Sequence, residues 1–302
     1  HSHRCRPQTK PDQRSATVEL RQIGGIDAPL TVYINHASRF IVPKKRMVQY
    51  AQTFPDSEIY ERILPQIADL KTEIESGRDL RPRLSRKLDS DGYSSNSRWS
   101  DKDFALNAYG VHHLHLQSKN GNGQSEELVF VEIKCTAATM LLAGKHSSFS
   151  RPDLENAILA HRASTGEMVL NGLHAPPSSH SGFTAEERKR LARNSFATTE
   201  MVNGKVVISA NLTNSGGSNL YAKHTQNVLS KLKYFEAQLG DVEFVRALFQ
   251  KFQMSAPLSP QFSWDYEYTS FFLREDTSGT VFPIVVSPQG LSDSIVNNRD
   301  IR

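Results

Sequence analysis

Residues 108–135 of the chain are AYGVHHLHLQSKNGNGQSEELVFVEIKC, and this stretch decides the expected fold. The runs 108–116 and 127–135 are rich in β-prone residues, and the polar stretch 117–125 (QSKNGNGQS) lies between them. Two such runs on either side of a glycine-containing turn are typical of a β-hairpin. Met140 to His146 is predicted to form a third strand.

Helix signatures lie on both sides of these strands. Apolar residues recur at spacings of three and four between residues 59 and 74, which predicts a helix over 56–76 that ends at Gly77 and bends at Pro65. Further helices are predicted over 151–162, 186–194, 218–239 and 242–254, and further strands over 14–40, 201–212, 262–273 and 280–286. The predicted fold class is α+β, with antiparallel hairpin-built sheets and flanking helices.

The domain organisation follows from these elements. We predict an N-terminal hairpin region over 1–55, a His-rich α+β core over 56–164, a C-terminal α+β region over 165–290 and a flexible tail over 291–302. Alternating aromatic residues at 262–268 predict a buried strand face, with a base-stacking platform as the alternative. The C-terminal region is a candidate for binding substrate or a protein partner.

Composition excludes several classes of protein. The chain has 302 residues, of which 38% are hydrophobic, so a sizeable core is available. Its two cysteines, Cys5 and Cys135, form no CxxC pair, which argues against a thiolate zinc cage and a disulfide scaffold. No run of about 18 apolar residues occurs, so no membrane-spanning helix is expected. These features favour a soluble, cytoplasmic protein.

Positive charge is concentrated before the His-rich hairpin. The whole chain carries a net charge of +4, and residues 78–87 alone hold five basic residues against one acidic residue. Because basic side chains neutralise phosphates, this segment predicts contact with nucleic acid, and a solvated helix face is the alternative. The candidate substrate-binding residues are Arg81, Arg83, Arg86, Lys87, Arg98 and Tyr109.

Histidine is the most informative residue type in the hairpin. Alternate residues of a strand share a face, so His113 and His115 point the same way, and His112 points toward the opposite, apolar layer. Imidazole titrates near neutrality, so His113 and His115 are candidates for a general base and a general acid at one phosphate. The alternative is a solvent-facing strand, and His112 is predicted to be a core residue.

Glu132 and Lys134 share one face of the following strand. This Glu-x-Lys matches the second half of the PD-(D/E)xK pattern, in which the acid binds Mg²⁺ and the lysine activates water. The first half is poor, because the upstream acids Asp101 and Asp103 do not lie on the preceding strand. A cross-strand salt bridge is the alternative, and Mg²⁺ at Glu132 is retained as a second hypothesis.

A zinc site is a further alternative for the histidines. His113, His115 and, from a later strand, His146 offer three imidazoles with one open position. The cupin pattern that uses His-x-His requires a glutamate soon afterwards, and this chain has Gln117-Ser-Lys-Asn there. We therefore predict no bound metal as the leading interpretation.

The segment Tyr109-Gly-Val-His-His-Leu-His-Leu116 resembles one shared by an uncharacterised bacterial family. Its members have a (W/Y)G(I/V)xHxHL segment, then an LxF strand, here Leu128 to Phe130, and a terminal histidine, here His146. The resemblance extends over residues 78–240. The family has no activity that transfers to this chain.

The order of elements is also similar to that of RelE/barnase-like ribonuclease toxins. This resemblance implies RNA cleavage without metal, in which His113 and His115 act as base and acid and Lys134 and Arg98 stabilise the phosphate. It adds His146 as a titrating group and Glu132 as an orienting group or base. The toxins are about 100 residues long, so residues 147–302 need another role.

Together these observations predict a metal-independent RNase of the toxin or phage-defence type. A magnesium-dependent nuclease is the second hypothesis. A non-catalytic binding or regulatory protein of a defence or toxin–antitoxin locus is the third. If His113, His115, Glu132 and Lys134 converge within about 8 Å in a cleft, catalysis is favoured, and if they separate, binding is favoured.

Overall fold

The computed structural model describes residues 27–85, 88, 103–117, 125–172, 183–194, 196–210, 212–213 and 217–292. The fold is α+β, as predicted, with mainly antiparallel sheets. The chain forms two compact units. The larger unit comprises Arg39–Ala222 and Pro288–Arg302, and the smaller unit comprises His1–Ser38 and Lys223–Ser287.

A four-stranded sheet organises the larger unit. In space its order is β1, β4, β3, β2, where β2, β3 and β4 are antiparallel neighbours and β1 pairs parallel with β4. The predicted hairpin and third strand are thereby confirmed. The strands are β1 Met47–Tyr50, β2 Val111–His115, β3 Glu127–Ile133 and β4 Ala137–Lys145.

Four helices accompany this sheet. They are α2 Leu64–Glu75, α3 Phe104–Tyr109, α4 Pro152–Thr165 and α5 Ala185–Arg193. Helix α1, Asp27–Ala37, precedes them in the chain and belongs to the smaller unit. Leu128 and Phe130 of β3 are fully buried in a cluster that also contains Leu154 and Ile158 of α4. Burial of these large apolar side chains, each worth about 1.5–3 kcal/mol, fixes which face of β3 points toward α4.

Helix α2 begins later than the sequence predicts. Residues 54–56 and 61–63 form short 3₁₀ turns, and the α-helix starts at Leu64. Pro65 lies in the first helical turn, where backbone N–H groups have no acceptor within the helix. Its lack of an N–H therefore breaks no hydrogen bond, and the predicted bend does not occur. Gly77 has a φ of 74° and follows the helix end, as predicted.

A second, two-stranded sheet lies in the larger unit. Strands β5 Thr199–Val202 and β6 Lys205–Ile208 pair antiparallel. Asn203 and Gly204 connect them with φ values of 51° and 74°. Positive φ at both central residues is what a two-residue primed turn requires, so the predicted hairpin is confirmed.

The smaller unit has its own antiparallel sheet, of order β7, β8, β9. Phe249, Leu273 and Phe282 form the buried centre of its core, and Trp264 packs against them. The buried-face interpretation of the aromatic run therefore holds for Trp264. The elements are α1 Asp27–Ala37, most of α6 Asn219–Gln238, α7 Val242–Lys251, β7 Phe262–Glu267, β8 Ser270–Glu275 and β9 Val281–Val285.

The predicted N-terminal hairpin is wrong where the structure describes it. Residues 31–34 (TVYI) lie inside helix α1, and the residues before 27 lie outside the described part of the chain. Ile34 and Ala37 are buried one helical turn apart, and the Tyr33 hydroxyl donates to the Tyr268 carbonyl at 2.7 Å. These tertiary contacts override the strand propensity of the β-branched residues.

The chain is packed against the larger unit immediately before and at the start of the predicted flexible tail, 291–302. The Gln289 amide oxygen accepts from the Val42 N–H at 3.0 Å, and the Gln289 carbonyl accepts from the buried Arg46 guanidinium at 2.9 Å. Ser292 is buried as well. Residues 293–302 lie outside the described part of the chain. Among the described helices, none is long and apolar enough to cross a membrane.

Candidate functional site

His113, His115 and His146 lie together and form what we call the histidine cluster. The ring centroids of His113 and His115 are 6.0 Å apart, and those of His115 and His146 are 5.2 Å apart. Strand β2 places the first two on one face, as predicted, and His146 follows the last residue of β4. The structure thus brings together three of the five predicted catalytic residues.

Each ring of the histidine cluster faces an oxygen atom through Nδ1. His113 Nδ1 lies 3.0 Å from the Asp103 carboxylate, and His146 Nδ1 lies 3.4 Å from the Glu126 carboxylate. His115 Nδ1 lies 2.9 Å from the Ser125 carbonyl. Among the described residues, no side chain or backbone group hydrogen bonds to Nε2 of these three rings. The Nε2 atoms are therefore the groups of the cluster on which chemistry can take place.

His115 is held in its neutral form. Because a carbonyl oxygen only accepts hydrogen bonds, the ring hydrogen of His115 is assigned to Nδ1, and Nε2 carries the lone pair. Burial, with the neighbouring His113 and His146, lowers the pKa of His115 to about 4 against the opposing hydrogen bond to Ser125. At neutral pH the Nε2 atom of His115 is therefore a proton acceptor.

Asp103 is the member of the site that sequence reasoning passed over. It begins helix α3, and its side chain accepts from the Leu106 N–H at 3.1 Å. Gly110 ends that helix with a φ of 74°, and the chain turns back into β2. Burial acts to raise the pKa of Asp103, but the charge of His113 and two hydrogen bonds outweigh it, so that the pKa is lowered. The N-cap pattern was the available signal for Asp103.

Aromatic side chains pack around the histidine cluster. The Phe149 ring lies 5.1 Å from the His113 ring and 5.1 Å from the Phe130 ring. The His115 residue is 2% exposed, whereas the His146 side chain is 48% exposed. Solvent therefore reaches the cluster chiefly from the His146 side.

Glu132 and Lys134 belong to a different group of charges. Glu132 accepts from His161 Nε2 at 3.2 Å and lies 3.0 Å from Lys134 Nζ, and Lys134 also contacts Glu167. Burial acts to raise the pKa of Glu132, and its bonds to His161 and Lys134 lower it overall. Glu132 and Lys134 thus form an ion pair within one strand region instead of the cross-strand salt bridge of the alternative, and His161 and Glu167 are partners that the sequence did not reveal.

The strand register separates these two groups. His115 pairs with Leu128, and Lys134 follows Leu128 by six residues, so that about 20 Å lies between those positions along the strand. His113 is nearer to Glu132, but the Glu132 carboxylate is engaged by His161 and Lys134. His113 and His115 on the one hand and Glu132 and Lys134 on the other therefore form two separate groups instead of converging in one cleft.

His112 occupies the core on the opposite face of β2. It is buried, and its Nε2 atom lies 3.3 Å from the Gln289 amide nitrogen. Burial lowers the pKa of His112 to about 4, so the ring is neutral at pH 7 and accepts from Gln289. This placement agrees with the predicted core role.

The predicted basic binding segment is only partly described. Arg83 is buried, bonds both oxygens of the Glu73 carboxylate at 2.9 and 2.8 Å, and donates to the Leu116 carbonyl. Its assignment to substrate binding is therefore wrong, because all of these donors serve the fold. The Arg81 guanidinium lies 5.1 Å from the Phe40 ring centroid. Arg86, Lys87 and Arg98 lie outside the described residues.

Tyr109 is also structural rather than substrate-binding. It is buried at the end of α3, and its ring packs against Phe104 at 5.7 Å and under the Arg162 guanidinium. Burial, with the nearby Glu155 carboxylate, raises the pKa of Tyr109. The assignment of Tyr109 to substrate contact is corrected, since its ring is enclosed by the core.

A cavity of about 140 Å³ opens beside the end of β4. Arg151 in its wall pairs with Glu58 at 3.0 Å and with Asp153 at 2.7 Å, so its basic and acidic groups neutralise each other. The volume is below the roughly 300 Å³ at which small-molecule pockets begin. Within the described part of the chain, no three His, Cys, Asp or Glu side chains are arranged to hold a metal ion.

Comparison with known proteins adds no relative. No protein-family model, no curated protein and no solved structure matches the chain. The resemblances to the uncharacterised bacterial family and to the RelE/barnase-like toxins therefore remain predictions. The site must be interpreted from its own geometry.

Proposed function

We propose that the protein cleaves RNA by histidine acid–base chemistry that needs no metal. One observation supports this proposal above the others: three imidazoles lie side by side, each facing an oxygen through Nδ1. Where Nδ1 is hydrogen bonded, as it is in His115, the remaining nitrogen, Nε2, is the one that can transfer a proton. The carboxylate of Asp103 behind His113 is the arrangement that stabilises an imidazolium in catalytic triads.

The environments of the rings support one assignment of the two roles. His115, held neutral, takes the proton from the ribose 2′-hydroxyl as that oxygen forms its bond to phosphorus. His113, which faces Asp103, acts as the acid and gives an Nε2 proton to the 5′-oxygen as the phosphorus–oxygen bond breaks. The products are a 2′,3′-cyclic phosphate and a free 5′-hydroxyl, and one proton is gained and one lost by the protein.

The remaining cluster residue has the greatest exposure to solvent. His146 is the most exposed ring, so substrate meets it before it reaches His113 and His115. Glu132 and Lys134 have no part in this reaction, because they pair with each other and with His161 and Glu167. The magnesium hypothesis at Glu132 likewise requires a cation to displace those partners.

A cleavage assay tests the proposal. Wild-type protein is incubated with labelled single-stranded RNA, with single-stranded DNA, and with RNA in which the reacting 2′-hydroxyl is replaced by hydrogen, each with and without EDTA. We expect cleavage of RNA alone, unchanged by EDTA, and lost in His115→Ala. Cleavage that EDTA abolishes and that Glu132→Gln removes favours the magnesium nuclease instead.

A second candidate is a non-catalytic binding protein. The 2% exposure of His115 and the separation of Glu132 and Lys134 from the cluster favour this function. It predicts that neither nucleic acid is cleaved and that His113→Ala and His115→Ala change stability rather than any activity. The same cleavage assay, combined with thermal unfolding of the two variants, distinguishes the candidates.

A further inference from the structure

Helix α5 presents two basic side chains one turn apart over a single aromatic ring. The Lys189 Nζ atom lies 5.3 Å and the Arg193 guanidinium carbon 5.8 Å from the centroid of the Phe104 ring. Residues at i and i+4 share a helix face, so both cations project from the same side of α5. Attraction between a cation and a ring face orients both side chains.

This face borders the histidine cluster. Lys189 Nζ donates to the Phe149 carbonyl at 3.4 Å, and the Phe149 ring is the one that contacts His113. Phe104 directly follows Asp103, the residue that faces His113. The two cations are therefore connected to the candidate site through two aromatic residues that also border it.

The other charges of α5 have different roles. Arg188 bonds both oxygens of the buried Glu155, and Glu187 caps the helix through Thr184. Glu186 is an exposed acid in the first turn of the helix, and it lines the same small pocket as Lys189. Positive charge is thus concentrated toward the end of the helix, where Arg190 and Arg193 are exposed.

We infer that the Lys189–Arg193 face of α5 binds the sugar–phosphate backbone of single-stranded RNA beside the scissile bond. This inference rests on the proposed function and names the surface that holds its substrate. Two cations held close together suit consecutive phosphates, and they supply the basic contacts that the sequence had assigned to residues 78–87. A single strand is required because His113 and His115 are nearly buried, which excludes a nucleotide held inside a duplex.

Binding measurements test the inference in a protein that cannot consume the RNA. His115→Ala serves as the parent, and its affinity for a labelled 12-nucleotide single strand is measured over a series of salt concentrations. Adding Lys189→Ala and Arg193→Ala is expected to weaken binding several-fold and to lower the salt slope by about 1.4, the value for two lost phosphate contacts. Lys231→Ala with Lys233→Ala removes two exposed lysines of the smaller unit and is the matched control.

The charge-conserving exchange Lys189→Arg with Arg193→Lys is expected to retain binding, which separates lost charge from a disturbed helix. Unchanged affinity and salt slope in the Lys189→Ala/Arg193→Ala variant overturn the inference, and so does an equal loss in the control variant. Preference for a duplex over the single strand overturns it as well.

RNA cleavage is measured in parallel, with the Lys189→Ala/Arg193→Ala substitutions in the wild-type protein, which keeps His115. If RNA is cleaved and the Lys189→Ala/Arg193→Ala variant keeps its KM, the inference fails and the proposed function stands. If RNA is bound through these residues but never cleaved, the proposed function fails and the binding surface stands. A raised KM with a nearly unchanged kcat supports both.

Discussion

Asp103 provides the sharpest test at the level of a single residue. Asparagine is also a good N-cap, so Asp103→Asn preserves the start of α3 while it removes the negative charge that faces His113. We expect kcat for RNA cleavage to fall by about 10²- to 10⁴-fold, the usual contribution of one acid–base group, with little change in KM. Steady-state kinetics at pH 7 measure both constants.

The matched control is Asp153→Asn, which neutralises an acid in the first turn of α4 that pairs with Arg151. It is expected to leave kcat unchanged. Equal kcat values for wild type and Asp103→Asn would show that Asp103 serves only as a helix cap.

Glu275 predicts how stability depends on pH. Its carboxylate is buried and accepts from the N–H groups of Gln261, Thr277 and Ser278 and from the Ser278 hydroxyl. Burial acts to raise the pKa of Glu275, but these hydrogen bonds outweigh it and lower the pKa to about 2. At neutral pH, Glu275→Gln is expected to cost about 1–3 kcal/mol, because the amide presents N–H groups where acceptors are needed.

The sign of the pH effect follows from the lowered pKa. The stabilisation by ionised Glu275 is fully present above the pKa of the unfolded chain, about 4.3, and is lost as the pH falls through the folded value of about 2. Denaturant unfolding at pH 7, 4 and 2 should therefore show a difference between wild type and Glu275→Gln that shrinks toward pH 2. A difference that stays constant over this range contradicts the prediction.

At the level of elements, the passage from β4 into the 3₁₀ turn His146–Ser150 positions His146. A methyl group at Gly144 would lie 2.4 Å from Ser148 Oγ, the atom that accepts from the Lys145 N–H. Gly144→Ala is therefore expected to shift the turn and cost about 1–3 kcal/mol. Thermal unfolding measures the loss, and the imidazole NMR signals of His146 report the displacement.

Removing the obstructing hydroxyl tests the cause. In Gly144→Ala/Ser148→Ala the closest contact is relieved. Ser148→Ala should therefore stabilise the Gly144→Ala variant by more than it changes the stability of the wild type. If the stability effects of the two single substitutions simply add, the cost of Gly144→Ala does not come from contact with the Ser148 hydroxyl.

Elements were predictable where the local pattern and the tertiary contacts agree. Strands β2 to β4 show β-prone runs separated by turn residues, and Asn203-Gly204 specifies its own turn. Helix α1 was missed because Thr31 and Ile34 favour a strand locally, while contacts from residues 266–268, far along the chain, stabilise the helix. Sequence reasoning that compares near neighbours has no access to such contacts.

At the level of the whole molecule, the candidate site was predictable only as far as strand geometry reaches. Alternation placed His113 and His115 on one face, and the third strand added His146. Alternation along the strands could not predict the charged partners of the candidate residues. Glu73 pairs with Arg83, and His161 and Glu167 pair with Glu132 and Lys134. Each pairing joins residues from different elements. Spacing along the sequence does not determine which of the many possible pairs form.

Closure of the larger unit depends on a contact across nearly the whole chain. Gln289 accepts from the Val42 N–H over a separation of 247 residues, and its amide nitrogen also lies 3.3 Å from the Phe40 carbonyl. Gln289→Ala leaves the buried Val42 N–H unsatisfied, at a cost of about 1–3 kcal/mol. Because so long a loop closes late, the variant should unfold faster but refold at nearly the wild-type rate. Stopped-flow kinetics and hydrogen exchange at Val42 measure this, with the exposed Gln226→Ala as control, and slowed refolding would show that this contact forms early.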